Sequence, residues 1–141
     1  MLTINATEAR KEWSTVIDSV VRERPQFIKR TRDFMMLSDI GTIDAILSAY
    51  SFTADALHEK DGTVTLSLRE MDLVENGENE SAAKLLLAKH IMEYAENFYS
   101  EYEYWSKAPN RRAHIPYVFK ALIIGDTAQL GEQIICLHGE S

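Results

Sequence analysis

The apolar positions near the start of the chain follow first a helical period and then an alternating one. Between residues 9 and 21 they recur at steps of three and four, as on one face of a helix, at Ala9, Trp13, Val16, Ile17, Val20 and Val21. A short strand at residues 2–4 precedes this predicted helix, and Asn5 or Thr7 can cap its first turn. Pro25 ends the helix, because proline disfavours helical backbone in the residue before it.

Two short apolar runs after the proline, at residues 26–29 and 34–38, predict the strands of a hairpin. The turn between them is formed by Arg30, Thr31, Arg32 and Asp33. A helix at residues 43–49, capped by Thr42, then closes a first module of residues 1–49.

The remainder of the chain, residues 50–141, changes its period once more. Residues 50–57 and 63–68 alternate between apolar and polar side chains on either side of Asp61-Gly62, which predicts a second hairpin. A third short strand is expected at residues 73–74, followed by a turn at Asn76-Gly77. From residue 81 to residue 105 the apolar stripe is helical, with Asn79 or Ser81 as its cap.

The last part of the chain predicts a short helix pair at residues 116–137. Pro109 breaks the long helix, and Pro116 fits the first turn of the next one. The complete pattern predicts an α+β fold. It consists of a strand-helix-hairpin-helix module, a small three-stranded sheet packed on a long helix, and the C-terminal helix pair.

Charge is distributed unevenly along this acidic chain, whose net charge is −7. Residues 1–40 carry seven basic and six acidic residues, a net of +1, whereas residues 41–141 carry eight basic and sixteen acidic residues, a net of −8. Five of the seven basic residues lie between Arg22 and Arg32. This distribution suits a protein that meets phosphates at one end and a different partner at the other.

The sequence predicts no enzyme, no metal site and no cofactor. Its histidines are scattered, without the spacing of metal ligands or of a catalytic motif, at His58, His90, His114 and His138. The single Cys136 follows two isoleucines and is expected to be a buried apolar residue. Because there is neither a membrane-spanning run nor a secretory signal, a cytoplasmic location is expected.

Aromatic residues crowd the end of the long predicted helix, at Tyr94, Phe98, Tyr99, Tyr102, Tyr104 and Trp105. Core packing accounts for most such stripes, and an exposed remainder would bind a partner protein or a small molecule. Glutamates at positions 93, 96, 101 and 103 argue against stacking on nucleic-acid bases, since they repel phosphate.

Several segments of the first 45 to 50 residues match a known pattern in order. They are the strand at residues 2–4, the helix start Thr7-Glu8-Ala9-Arg10, the helix face Trp13-Ser14-x-x-Ile17-Asp18-x-Val20, and the segments Phe27-Ile28-Lys29-Arg30 and Met35-Met36-Leu37-Ser38. In these segments the chain resembles the DNA-binding N-terminal module of the Phd/YefM family of bacterial antitoxins. The resemblance implies a type II antitoxin that neutralises a cognate toxin by direct binding. It also implies a homodimer that binds a palindromic operator and represses its own transcription.

The same resemblance implies a DNA-binding surface, made of Thr7, Arg10, Lys11, Lys29, Arg30 and Arg32. Arg10 is the candidate for a base contact, because arginine can bond guanine through two hydrogen bonds. The basic residues of the hairpin are candidates for phosphate contacts, which fix the register of a protein on DNA.

Residues 50–105 resemble the HicB-like antitoxin domain in the order of their elements. The matching segments are Phe52-Thr53-Ala54, Asp61-Gly62, Val64-Thr65-Leu66-Ser67, Glu75-Asn76-Gly77-Glu78-Asn79 and Ser81-Ala82-Ala83. This resemblance implies a fold, three strands packed on a helix. In an antitoxin, the acidic domain of residues 50–141 would suit a basic toxin surface.

Two departures from the Phd/YefM pattern favour an alternative. The hairpin turn reads Thr31-Arg32-Asp33 where the family usually has a glycine between basic residues. Antitoxins of that family also usually end in a tail that folds on the toxin, whereas this chain continues into a predicted domain. Together with the small net charge of the first module, Asp33 favours a protein-interaction or dimerisation module that has kept the fold without binding DNA.

Overall fold

The computed structural model describes residues 2–139, which divide into two compact units, one ending at Ile46 and the other beginning at Leu47. The first unit contains a three-stranded sheet in the order β1-β2-β3, with β1 parallel and β3 antiparallel to the central strand. Its elements are β1 (Thr3–Asn5), α1 (Ala6–Lys11), α2 (Trp13–Arg22), β2 (Gln26–Arg30), β3 (Asp33–Leu37) and α3 (Ile40–Leu47), whose last residue belongs to the second unit.

A small apolar core joins α1 and α2 to one face of this sheet. It consists of Ala9, Val16, Val20 and Ile28, with Ile4, Ala6 and Leu37 at its edge. The predicted helix is two helices, because the backbone leaves helical geometry at Glu12 (φ −105°, ψ 31°). The rest of the predicted stripe is exposed, at Trp13, Ile17 and Val21.

Asp39, rather than Thr42, starts the helix after the hairpin. The backbone N–H of Thr42 donates to Asp39 Oδ1 at 3.1 Å, and the helix begins at Ile40 instead of residue 43. Hydrogen bonds from Thr42 hold the pKa of Asp39 below its usual value. The prediction that Thr42 caps the helix was therefore wrong, since the stronger acceptor lies three residues earlier.

The second unit packs helices on one four-stranded sheet, in the order β6-β5-β4-β7. Its elements are β4 (Phe52–His58), β5 (Val64–Leu68), β6 (Val74–Gly77), α4 (Glu80–Ser100), α5 (Tyr102–Lys107), a 3₁₀ turn (Arg112–His114), α6 (Ile115–Ile124), α7 (Thr127–Glu132) and β7 (Ile134–His138). The core lies between the sheet and α4, and its largest buried side chains include Phe52, Leu66, Leu87, Ile91 and Phe98. The α+β fold is thus confirmed.

The C-terminal run predicted as the second half of a helix pair is a strand. β7 pairs in parallel with β4, with Phe52 opposite Ile134 and Ala54 opposite Cys136. A short apolar run with two β-branched residues fits a half-buried strand as well as a helix, and the open edge of β4 decides between them. The sheet therefore has four strands instead of the three predicted, and Cys136 is half-buried on its edge strand.

Asn76-Gly77 is also part of the sheet rather than a turn. Asn76 pairs with Thr65, and Gly77 pairs with Val64. The chain reverses earlier, between Leu68 and Val74, where Asp72 adopts a left-handed backbone (φ 54°). The side chain of Asn79 then accepts from the N–H of Ala82 at 2.8 Å and caps α4, as the sequence predicted.

Candidate nucleic-acid interface

The parallel pairing of β1 and β2 places the start of α1 beside the tip of the hairpin. Asn5, the last residue of β1, is opposite Lys29 near the end of β2. The side chain of Asn5 accepts from the N–H of Thr7 at 2.8 Å, which caps α1 directly after the strand ends. The first turn of α1 and the basic hairpin therefore lie at the same end of the sheet.

The hairpin tip presents three exposed cations within four residues. Arg30 and Asp33 are paired across the last rung of the ladder, and Arg32 lies in the two-residue turn between them. Lys29 is opposite Phe34, and its Nζ lies 5.4 Å from the centre of that ring. Such a contact orients the lysine while leaving its charge in solvent.

Thr31 closes this turn with a positive φ of 55°. Positive φ is rare for a β-branched residue, and glycine is the usual choice at such positions. The backbone of Thr31 is therefore in a conformation that glycine adopts without strain, and it is strained in threonine.

Arg10 and Lys11 lie in the last turn of α1, and both are exposed. The prediction that Arg10 lies at the helix start was wrong in this respect, because α1 ends at Lys11. Basic residues at this position also interact favourably with the C-terminal end of the helix dipole, which is their local structural role.

The sequence cluster of basic residues is divided between two places. Arg22 is the last residue of α2 and Arg24 precedes β2, whereas Arg30 ends β2. The two groups lie at opposite ends of the five-residue strand β2, which is about 15 Å long. Thr7, Lys29, Arg30 and Arg32 are brought to one end of the sheet, and Arg22 and Arg24 lie at the other.

An apolar groove runs between α1 and the edge strand β3, which we call the Trp13 groove. It has a volume of about 720 Å³ and is lined by Ala6, Ala9, Arg10, Trp13, Ile28, Met35, Met36 and Leu37. The Trp13 side chain in this groove is 48% exposed, and Ile17 and Val21 continue its line along α2. The sequence showed these residues as a helix stripe, but only the fold shows that half of the stripe has no cover within this unit.

In the second unit, His114 is a buried histidine that sequence inspection did not separate from the others. Its Nδ1 lies 2.7 Å from the hydroxyl of Tyr94, and the guanidinium of Arg111 lies over the Tyr94 and Trp105 rings at 6.0 and 5.9 Å. Burial and the nearby Arg111 lower the pKa of His114, and burial raises the pKa of Tyr94. A neutral imidazole whose Nδ1 accepts a hydrogen bond from the Tyr94 hydroxyl satisfies the buried histidine and the partly buried tyrosine.

Within residues 2–139, no group of three or more His, Cys, Asp or Glu side chains is arranged to hold a metal ion. The helices in the same part of the chain include none that is long and apolar enough to cross a bilayer.

A family model described as "Antitoxin of toxin-antitoxin, RelE / RelB, TA system" matches residues 1–136. The chain belongs to this antitoxin family. The match covers nearly the whole chain, including the acidic unit, whereas the Phd/YefM resemblance rested on the first 45 to 50 residues. An antitoxin implies a toxin as partner, and the family indicates a regulatory rather than an enzymatic protein.

A crystal structure from Syntrophomonas wolfei subsp. wolfei, described as the antitoxin part of a proposed toxin/antitoxin system, has the same fold. It is 32% identical in sequence and superposes with a TM-score of 0.92, covering 99% of this chain and 100% of that one. No curated protein matches the chain significantly.

Proposed function

We propose that this antitoxin binds operator DNA through its first unit and neutralises its toxin by direct contact. The observation that carries the DNA-binding half is the register of β1 on β2, which gathers Thr7, Lys29, Arg30 and Arg32 at one exposed end of the sheet. Exposed cations beside a threonine hydroxyl suit the phosphate backbone of DNA. The proposal follows the Phd/YefM resemblance that the sequence suggested.

The two groups of residues have different roles in this proposal. Lys29, Arg30 and Arg32 neutralise phosphates, and the exposed Thr7 supplies its hydroxyl as a further donor to the DNA backbone. Arg10 and Lys11 lie in the last turn of α1, and Arg10 also lines the Trp13 groove. In this proposal the guanidinium of Arg10 extends past the edge of that groove and contacts base edges.

A homodimer completes the operator-binding surface. One such unit offers few base contacts, and a twofold dimer doubles them on a palindromic site with half-sites about one helical turn apart. We place the second copy over the Trp13 groove, because that groove is apolar, borders the edge strand β3 and is not covered within its own unit. The opposite face of the sheet carries exposed Phe27, Phe34 and Met36 around Lys29, and this charge makes that face less suited to a buried interface.

The second unit supplies the toxin-binding surface in this proposal. Residues 41–141 carry a net charge of −8, which would steer association with a basic toxin. The family description names RelE / RelB systems, which supports a RelE-type toxin as the partner in this proposal. The protein acts in the cytoplasm, where its operator lies, and has no catalytic role.

A gel shift on the DNA upstream of this chain's own gene tests the proposal. The double variant Arg10→Ala/Arg30→Ala should lose specific binding by at least tenfold, because it removes one base contact and one phosphate contact per copy. The matched control Arg22→Ala/Arg24→Ala removes the same charge from the other end of β2 and should bind normally. Equal losses in both variants would show that only net charge matters.

Asp33 favours a second candidate function, that of an interaction module without DNA binding. Its carboxylate is on the residue opposite Arg30 in the ladder, where it offsets a cation that would meet phosphate. In that case the wild type would show no specific shift at low salt, and Asp33→Asn would not create one.

A further inference from the structure

The junction of α4 and α5 forms an exposed aromatic surface, which we call the tyrosine groove. The backbone leaves helical geometry at Glu101 (φ −121°, ψ 42°), and α5 follows without burying any of its residues. The open groove has a volume of about 980 Å³, and its lining includes Glu101, Tyr102, Glu103, Tyr104 and Lys107.

Packing within the unit accounts for only part of this aromatic surface. Tyr102 packs on Phe98 and Phe119, with ring centres 6.0 and 5.8 Å apart, and so belongs partly to the core. Tyr104 contacts the ring of Trp105 at 4.9 Å, yet its side chain is 67% exposed. Tyr99 precedes the groove on α4, contacts Phe119 with ring centres 6.3 Å apart, and is 59% exposed. Exposed tyrosines grouped around a concave surface are typical of protein-binding anchors.

The charge around the groove specifies the partner. The lining of the groove carries Glu101 and Glu103 against Lys107, a net of −1, and Glu93 and Glu96 lie earlier on α4. Lys107 Nζ lies 3.6 Å from Glu103 Oε1, and both side chains are largely solvent-exposed, so this pair contributes little. A negative aromatic surface repels phosphate and attracts cations.

Arginine and lysine side chains can contact an aromatic ring and a carboxylate at the same time. A guanidinium stacks on an aromatic face and pairs with a carboxylate in the same contact. The neighbouring Arg111 illustrates this geometry within the chain, since its guanidinium lies over the Tyr94 and Trp105 rings.

We infer that the tyrosine groove is the docking surface for an arginine- or lysine-rich segment of the toxin. The inference rests on the proposed toxin-neutralising function and assigns that function to a folded groove, with Tyr104 as the anchor and Glu101 and Glu103 as the charge partners. It does not require a disordered tail that folds on the toxin.

The test is titration of the full-length antitoxin against the purified product of the gene adjacent to its own, at several salt concentrations. Tyr104→Ala should weaken binding at least tenfold, because it removes an exposed anchor without touching the core. Glu101→Gln/Glu103→Gln should slow association and flatten its salt dependence, since the steering charges are gone.

Two control variants change residues on or beside the first turns of α4, far from the tyrosine groove. Leu85→Ala removes an equally exposed apolar side chain about 24 Å from Glu101 along the helix, and Glu132→Gln removes a charge beside the start of α4. Both should bind like the wild type, and all variants should keep their operator binding and melting temperature.

The outcomes separate the two claims. Tight binding by the wild type, with unchanged affinity in Tyr104→Ala and in the glutamate variant, would overturn the groove assignment and leave the proposed function standing. Absence of any binding by the wild type would overturn the toxin-neutralising function together with the inference.

Discussion

At the scale of single residues, Thr31 adopts a left-handed backbone conformation that threonine disfavours. A threonine backbone at φ 55° is strained by about 1–3 kcal/mol, and the turn persists because five paired residues on each strand hold it closed. The strain is located where the proposed phosphate contacts lie, so it bears directly on how rigidly the cations are presented.

Thr31→Gly should therefore stabilise the protein. Release of the strain exceeds the entropy that glycine adds to the unfolded chain, so we expect the free energy of unfolding to rise by about 1 kcal/mol. The control Arg32→Gly changes the neighbouring turn residue, whose φ is not in the left-handed region, and should destabilise slightly. Urea denaturation of both variants measures the difference. A loss of stability in Thr31→Gly would show that the threonine side chain supports the turn.

His114 gives a second prediction at this scale, which concerns pH. Its pKa in the folded protein is below its ordinary value, so the unfolded chain binds a proton more readily than the folded one. Stability is therefore full above the unfolded pKa of about 6.5 and is lost as the pH falls from there toward the folded pKa.

Comparison of unfolding free energies between pH 7 and pH 5 tests this assignment. The wild type should lose stability over that interval, and His114→Gln should have a flatter profile even if it is less stable at pH 7. His58→Gln, at the exposed end of β4, serves as the matched control and should keep the slope of the wild type. An identical slope in His114→Gln would locate the pH dependence elsewhere.

At the scale of elements, Gly77 sets how closely β6 approaches α4. A Cβ built on this glycine would lie 2.4 Å from the backbone N of Ala83 and 2.8 Å from its Cα, within the first turn of the helix. No side-chain rotation relieves a contact with backbone, so the strand or the helix would have to move.

Gly77→Ala should destabilise the protein by about 2–3 kcal/mol through this overpacking. Gly131→Ala is the control, because its Cβ would make only ordinary contacts, the nearest being Ala88 Cβ at 3.6 Å, inside α7. We expect that variant to be neutral or more stable by about 0.5 kcal/mol. Thermal melting of the pair measures the contrast, and similar melting temperatures for both would contradict the close approach.

Local chemistry explains which elements were predictable from the sequence. Asn79 caps α4 and Asn5 caps α1 through contacts that span two or three residues, so the sequence contains the whole interaction. The register of β1 on β2 and the position of β7 on β4 join residues far apart in the chain. An isolated run such as residues 134–137 does not show which sheet edge is open to it.

The candidate site was predictable to a similar extent. Basic residues of the hairpin were evident from composition and turn pattern, whereas the separation of Arg22 and Arg24 from Arg30 follows from the direction of β2. The exposure of Trp13 followed from neither, because a helical stripe looks the same whether its cover is in the same chain or in a partner.

At the scale of the whole molecule, we propose that the first unit binds DNA and the second unit binds the toxin. In this proposal DNA binding requires a homodimer that forms through the Trp13 groove.

Trp13→Glu should convert a dimer of two 16.1 kDa chains into monomers and weaken operator binding by at least tenfold. The control Ser14→Glu adds the same charge at the next, exposed position of α2 and should remain dimeric. Sedimentation at micromolar protein concentration measures the molar mass of both variants. A Trp13→Glu variant that remains dimeric would exclude this interface.

The salt dependence of binding to the chain's own upstream DNA is the measurement that tests the account most directly. Three hairpin cations per copy give six phosphate contacts in a dimer, which predicts that log K falls with log salt at a slope of about −5. Lys29→Ala/Arg30→Ala/Arg32→Ala should abolish most of that slope, and Arg22→Ala/Arg24→Ala should retain it. A shallow slope in the wild type, or equal slopes in the two variants, would contradict DNA binding through the hairpin tip.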